Sequence, residues 1–248
     1  MYLGNTFTVP NIANLPGQSG GGGGLQSIAN NFSMQFNGID EYFVASGTAQ
    51  SGDFSLSYWV NASGTYTNPN QYVPVGVGPN TNYPNRTIGR MYKFPNSNAR
   101  GLTLMSQMRG PDGSSGSFDN YITDGFDFTT KGWVHVAFTY DSTTRRVYVY
   151  LDGQSKQWTK LGGGTTSDYI TTVPSDNYNT NLDIGAYEDA LGTSLFFPGY
   201  VDEVAIFNYK LEASDIEDIY NITNNDPTQT ADLSTLSTPP VAWYRMGD

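Results

Sequence analysis

The residues of this chain that could do chemistry are paired carboxylates, a lone histidine and a group of tyrosines. Hydrolysing a glycosidic bond with retention takes two carboxyl groups facing each other across the scissile bond, one as acid and one as nucleophile. The nearest arrangements are Asp202-Glu203 and Glu188-Asp189. Adjacent residues on a strand point to opposite faces, so neither pair is expected to converge on a substrate, and no enzyme activity is expected. His135 stands in a strand-like run beside Trp133 and Ala137 and is expected to be a hydrogen-bonded structural residue. Tyr66, Tyr72, Tyr83 and Tyr92 fall in a stretch with prolines at 69, 74, 79, 84 and 95. They either stack on sugar rings or cover one another and a sheet edge, the second being the preferred reading. Asp40 and Glu41 follow an Asn-Gly turn, while Asp202 and Glu203 open a late strand; their carboxylates either accept backbone hydrogen bonds or hold a cation.

These groups hang on strands. In 131–153 the residues Val134, Val136, Phe138 and Tyr140 alternate on one face, and Val147, Val149 and Leu151 repeat the pattern after the polar turn 141–145. That is a hairpin. Its first strand also carries Trp133, His135, Ala137 and Thr139 opposite, so it is expected to lie centrally in a sheet, and Asp152-Gly153 supplies the next tight turn. Period-two alternation predicts further strands at 54–60, 101–108, 118–122, 157–161, 182–186 and 197–207, and a strand pair over 32–44 turning at Asn37-Gly38. Proline frequency in 61–100 leaves room only for short edge strands around 72–77 and 87–92. Over 211–220 the period changes: Ser214 and Glu217 read as a capping box, and Ile216, Ile219 and Tyr220 form one stripe of a short amphipathic helix.

Composition narrows the partners. Among 248 residues, 23 acidic against 12 basic give a net charge of −11 with no basic cluster, so neither nucleic acid nor an anionic membrane is expected. With no cysteine and one histidine, any bound metal is expected to be a hard cation held by oxygens, calcium first. A chain only 14 % charged yet holding 18 Tyr and 28 Gly has the composition of extracellular or particle-surface β proteins. Residues 1–30, with the run Gly20 to Gly24, read as a flexible arm. Such an arm is either a disordered leader or a segment that orders on a neighbouring subunit. No secretory signal is read at its start. Residues 31–222 then form the β-sandwich, and 223–248 a linker and C-terminal segment that either pairs back onto a sheet or opens a further module.

The motifs FNGIDEYF (36–43), FSLSYWV (54–60), GWVHVAFTYD (132–141), VYLDG (149–153), LDIGA (182–186) and GYVDEVAIFNYKLEASDIEDIY (199–220) occur in an order and spacing that resemble the laminin G-like, concanavalin A-like family. The resemblance covers residues 30–222. It implies an all-β, two-sheet antiparallel jelly-roll sandwich, to which the residues add one short C-terminal helix. It also implies calcium at aspartates near loop ends, with Asp40 and Asp202 matching the FNG-x-D and G-x-x-D-E patterns. The arm and the tail PVAWYRMGD look like laminin G-like proteins carried on marine bacteriophage particles. The expected function is therefore a non-enzymatic structural or decoration protein on a virion surface, anchored by the arm to other virion proteins or to copies of itself. The alternative is a calcium-assisted lectin or adhesin for host-surface glycans.

Overall fold

The computed structural model describes residues 25–45, 52–67, 70–77, 87–93, 102–108, 118–122, 126–160, 166–171, 182–186, 195–222 and 229–246. In chain order the strands are β1 (Gln26–Ala29), β2 (Met34–Asn37), β3 (Phe43–Ala45), β4 (Phe54–Asn61), β5 (Asn70–Tyr72) and β6 (Val75–Val77). They continue as β7 (Thr87–Lys93), β8 (Leu102–Met108), β9 (Phe118–Ile122), β10 (Trp133–Asp141), β11 (Arg146–Leu151) and β12 (Gln154–Lys156). Then come β13 (Trp158–Lys160), β14 (Ile170–Thr171), β15 (Leu182–Ile184) and β16 (Pro198–Phe207), helix α1 (Ala213–Asn221), and finally β17 (Gln229–Asp232) and β18 (Ala242–Tyr244).

Among the described residues they form two large antiparallel sheets and a two-stranded one, β1-β17. The first runs β12-β11-β10-β4-β16-β18, with β14 beside β11 and β2 beside β16; the second runs β13-β9-β8-β7-β6-β15-β3, with β5 beside β7. The hairpin read from 131–153 forms as expected, Val136 opposite Leu151 and Tyr140 opposite Val147, and β10 sits between β11 and β4. Asp152 and Gly153 both have positive φ, as a two-residue hairpin turn requires. Inward-facing Leu56, Tyr58, Val60, Val136 and Phe138 of the first sheet share one core with Met91, Leu102, Leu104, Leu182 and Ile184 of the second. The outer face of the first sheet has its own smaller core, where Ala137, Ala205 and Phe207 meet Leu211, Ile216 and Ile219 of the helix region and Ala231 and Leu233.

Several expectations change. Met34–Asn37 and Phe43–Ala45 are strands, but not partners: β2 pairs with β16 and β3 with β15 in the other sheet. The Asn37-Gly38 turn crosses the sandwich because Phe36 and Phe43 meet edge-to-face in the core at 5.9 Å. Gly38 has φ +73, and the Asn37 side-chain oxygen accepts the N–H groups of Ile39 and Asp40. Neither 75–77 nor 87–93 is an edge strand, since β6 lies between β15 and β7 and β7 between β6 and β8. No proline falls within either strand, so both edges keep their backbone donors. The helix cap lies two residues earlier than read: Glu212 is the N-cap, and Asp215 accepts its backbone N–H at 3.0 Å. Residues 26–29 pair with 229–232, and 242–244 with 204–206, so both chain-end segments lie on the sandwich beyond the boundaries drawn at 31 and 222.

Candidate functional site

The outer face of the first sheet carries every described polar cluster of interest, and its parts differ in access. His135 of β10 lies opposite Trp59 of β4. Its Nε2 is 2.8 Å from Ser57 Oγ, its ring packs against Trp59, and Tyr220 of α1 stacks above both. Complete burial pushes its pKa down to about 3, so the imidazole is neutral. Asp152 bonds the His135 backbone rather than its ring. A Ser-His pair sealed under a helix presents no nucleophile, in keeping with the structural role expected.

One strand along, β16 contains a bulge: its register with β4 shifts between Asp202 and Ala205, and Glu203 takes φ +52. The rule that neighbours point oppositely fails here, because the extra residue re-aims the side chain. Asp202 turns toward Asn30, which follows β1, and Glu203 toward β18 and the residue after it. Asp202 accepts from Asn30 Nδ2 at 3.0 Å, while Glu203 accepts from Trp243 Nε1 at 2.6 Å and Arg245 Nε at 3.3 Å. Arg245 Nη2 also donates to the Ala29 carbonyl at 2.6 Å. The result is a clasp binding β1 and β18 to β16. Burial first, then the Asp202 charge, pushes Glu203 up to about 8 against the opposing pull of Arg245. Adjacency does not make an active site, since each acid is 3 % exposed and covered by the chain ends.

Asp40 and Asp202 stand apart. Asn37 is opposite Pro198, four residues along β16 from Asp202, a separation of about 13 Å at strand rise. Asp40 is exposed and held by Asn37 Nδ2 at 2.8 Å. Among the described residues no group of three or more His, Cys, Asp or Glu that could hold a metal occurs.

Tyr66 and Tyr72 pack against each other rather than opening a platform. Tyr72 is 7 % exposed, its ring meets Tyr66 edge-to-face at 4.9 Å, and its hydroxyl accepts the Thr67 N–H. Tyr66 donates to the Pro198 carbonyl at 2.5 Å. They cover the core and pin the loop. Tyr83 lies outside the described residues, as do Glu188 and Asp189, and Tyr92 is described only as backbone opposite Gln71 and Thr103.

Exposed aromatic chemistry lies elsewhere, in a row that sequence reading missed. Trp133 pairs with Asn61, Asn61 with Tyr200, and Tyr200 with Gln35, so four residues from β10, β4, β16 and β2 line up across the outer face. Trp133 is 36 % exposed, and its ring lies 6.3 Å from that of Tyr200 at 58°. The Trp59–Tyr220 stack closes one side of the row. The sequence signal was present: Trp133 alternates with His135 on the outward face of the central strand.

A family model described as the concanavalin A-like lectin/glucanases superfamily matches residues 37–217. The chain belongs to that superfamily. No curated protein sequence matches significantly. Among solved structures, the enzymatically active domain of bacteriophage CBA120 tailspike protein 2 is similar over 90 % of this chain and 32 % of its own, at 10 % identity and TM-score 0.53. A K499G mutant of the NanB sialidase of Streptococcus pneumoniae is similar over 78 % and 27 %, at 15 % identity and TM-score 0.50. The heptameric pentraxin of Limulus polyphemus covers 75 % of this chain and 80 % of its own, at 13 % identity and TM-score 0.47. These likenesses are of fold. The superfamily's sandwich agrees with the two sheets described above.

Proposed function

We propose that this chain is a non-enzymatic glycan-recognition module. The observation that carries the reading is the contrast on one sheet face: the two carboxylates are shut beneath residues 29–30 and 243–245, while Trp133 and Gln35 are exposed and Asn61 and Tyr200 are half-buried. Recognition needs accessible aromatic and uncharged polar groups; hydrolysis needs accessible acids. A glycan panel, run with calcium and again with chelator, tests it. Specific binding that survives chelation is expected, because Asp40 and Asp202 do not meet. Absence of binding by folded protein would refute it.

A second reading concerns where the module works. Display on a virus particle, with the glycine-rich arm as anchor, is favoured by the pairing of Gln26–Ala29 with β17 and the bond from Arg245 to Ala29. These tie the first described strand to β17 and to the residue after β18. Deleting 1–24 should lower occupancy on particles without changing glycan binding; normal occupancy would refute the anchor.

A further inference from the structure

Resting on the glycan-recognition reading, we infer that the row Trp133, Asn61, Tyr200 and Gln35 is the binding platform, and that it takes a neutral hexopyranose in preference to an acidic sugar. Aligned cross-strand partners point to the same face, so the four side chains form one strip about 14 Å long at sheet spacing. The rings of Trp133 and Tyr200 lie 6.3 Å apart, tilted at 58° to each other. The negative face of an aromatic ring attracts the partly positive C–H groups on one side of a pyranose, which also shed water there. Asn61 and Gln35 each bring an amide donor and acceptor, and Tyr200 a hydroxyl, the uncharged set that matches sugar hydroxyls.

Charge sets the class of sugar. No member of the row is charged, and the nearest charged neighbours along β16 are the acids Asp202 and Glu203. In a chain of net charge −11, a uronate or sialate would approach against repulsion with no cation in the row to receive it. A protein partner would need about 800 Å² on this side, more than a single four-residue strip bounded by the Trp59–Tyr220 stack offers.

The test is calorimetric titration of the full chain with neutral hexose oligosaccharides and their uronic acid counterparts, repeated for Trp133→Ala, the milder Asn61→Ala and a Tyr66→Phe control. Binding of a neutral oligosaccharide, weakened at least tenfold in Trp133→Ala and measurably in Asn61→Ala but not in Tyr66→Phe, is expected. If the wild type binds and both row variants bind equally well, the platform is overturned while the recognition reading stands. Uronates bound as tightly as neutral sugars overturn the class. Folded protein that binds no sugar overturns platform and reading together, and concentration-dependent self-association lost in Trp133→Ala would reassign the row to a second copy of this chain.

Discussion

On the outer face of the first sheet, the clasp around Asp202 and Glu203 and the row around Trp133 and Tyr200 are near neighbours with opposite construction. The clasp holds charge and is shut; the row is uncharged and open. Tyr200 and Asp202 are two residues apart on β16, so the difference is made by the bulge and by the chain ends that cover it. Charged groups here serve cohesion, because a buried acid persists only when paired and hydrogen-bonded. What remains available to a ligand is aromatic area and amides.

The largest expected effects come from opening the clasp. Arg245→Met removes the cation facing Glu203 and leaves a buried carboxylate uncompensated, which should cost about 3 kcal/mol at pH 9 in denaturant unfolding. The loss should be smaller at pH 6, where Glu203 carries a proton. Wild-type stability should also depend on pH through this group. Glu203 holds its proton up to about 8 in the folded state but releases it near 4.5 when unfolded, so its contribution is full below 4.5 and fades as pH rises toward 8. His135 acts in the other direction, with a folded pKa of about 3 against 6.5, and adds stability as pH rises to 6.5. Between 6.5 and 8 the Glu203 slope stands alone, and Glu203→Gln should flatten it; an unchanged slope would show that the acid is not sequestered.

Weakening the row should change binding and spare stability. Trp133→Ala is expected to lose at least about 1.4 kcal/mol of glycan affinity while losing less stability than Arg245→Met. A large loss of stability would mean that the indole belongs to the packing. The smallest effect is expected at the tyrosine pair: Tyr66→Phe removes the bond to the Pro198 carbonyl and should cost about 1 kcal/mol of stability with no change in binding.

Much of the sandwich was legible because period-two alternation names the inward face directly, as in Phe54, Leu56, Tyr58 and Val60. Pairing was less so. Nothing local to FNGIDEYF says that its turn crosses between sheets; that follows from Phe36 meeting Phe43 in the core, a contact made only once both sheets exist. The clasp was hidden for the same reason, since Glu203 meets Trp243 across 40 residues and a bulge has no reliable sequence mark. Tyrosine count drew attention to 61–100, yet burial rather than residue type decides what a ring can stack on, and Tyr72 is inside. Trp133 was in view from the outset, but alternation places it on the outward face without saying how much of that face stays exposed.

The most direct measurement is to follow the indole N–H signals of the four tryptophans by NMR while titrating a bound neutral oligosaccharide. If recognition runs through the open row, the Trp133 signal moves and broadens first, while Trp158 in the core and Trp243 in its bond to Glu203 stay in place. A shift confined to Trp243, with Trp133 unmoved, would contradict the separation of open row from sealed clasp.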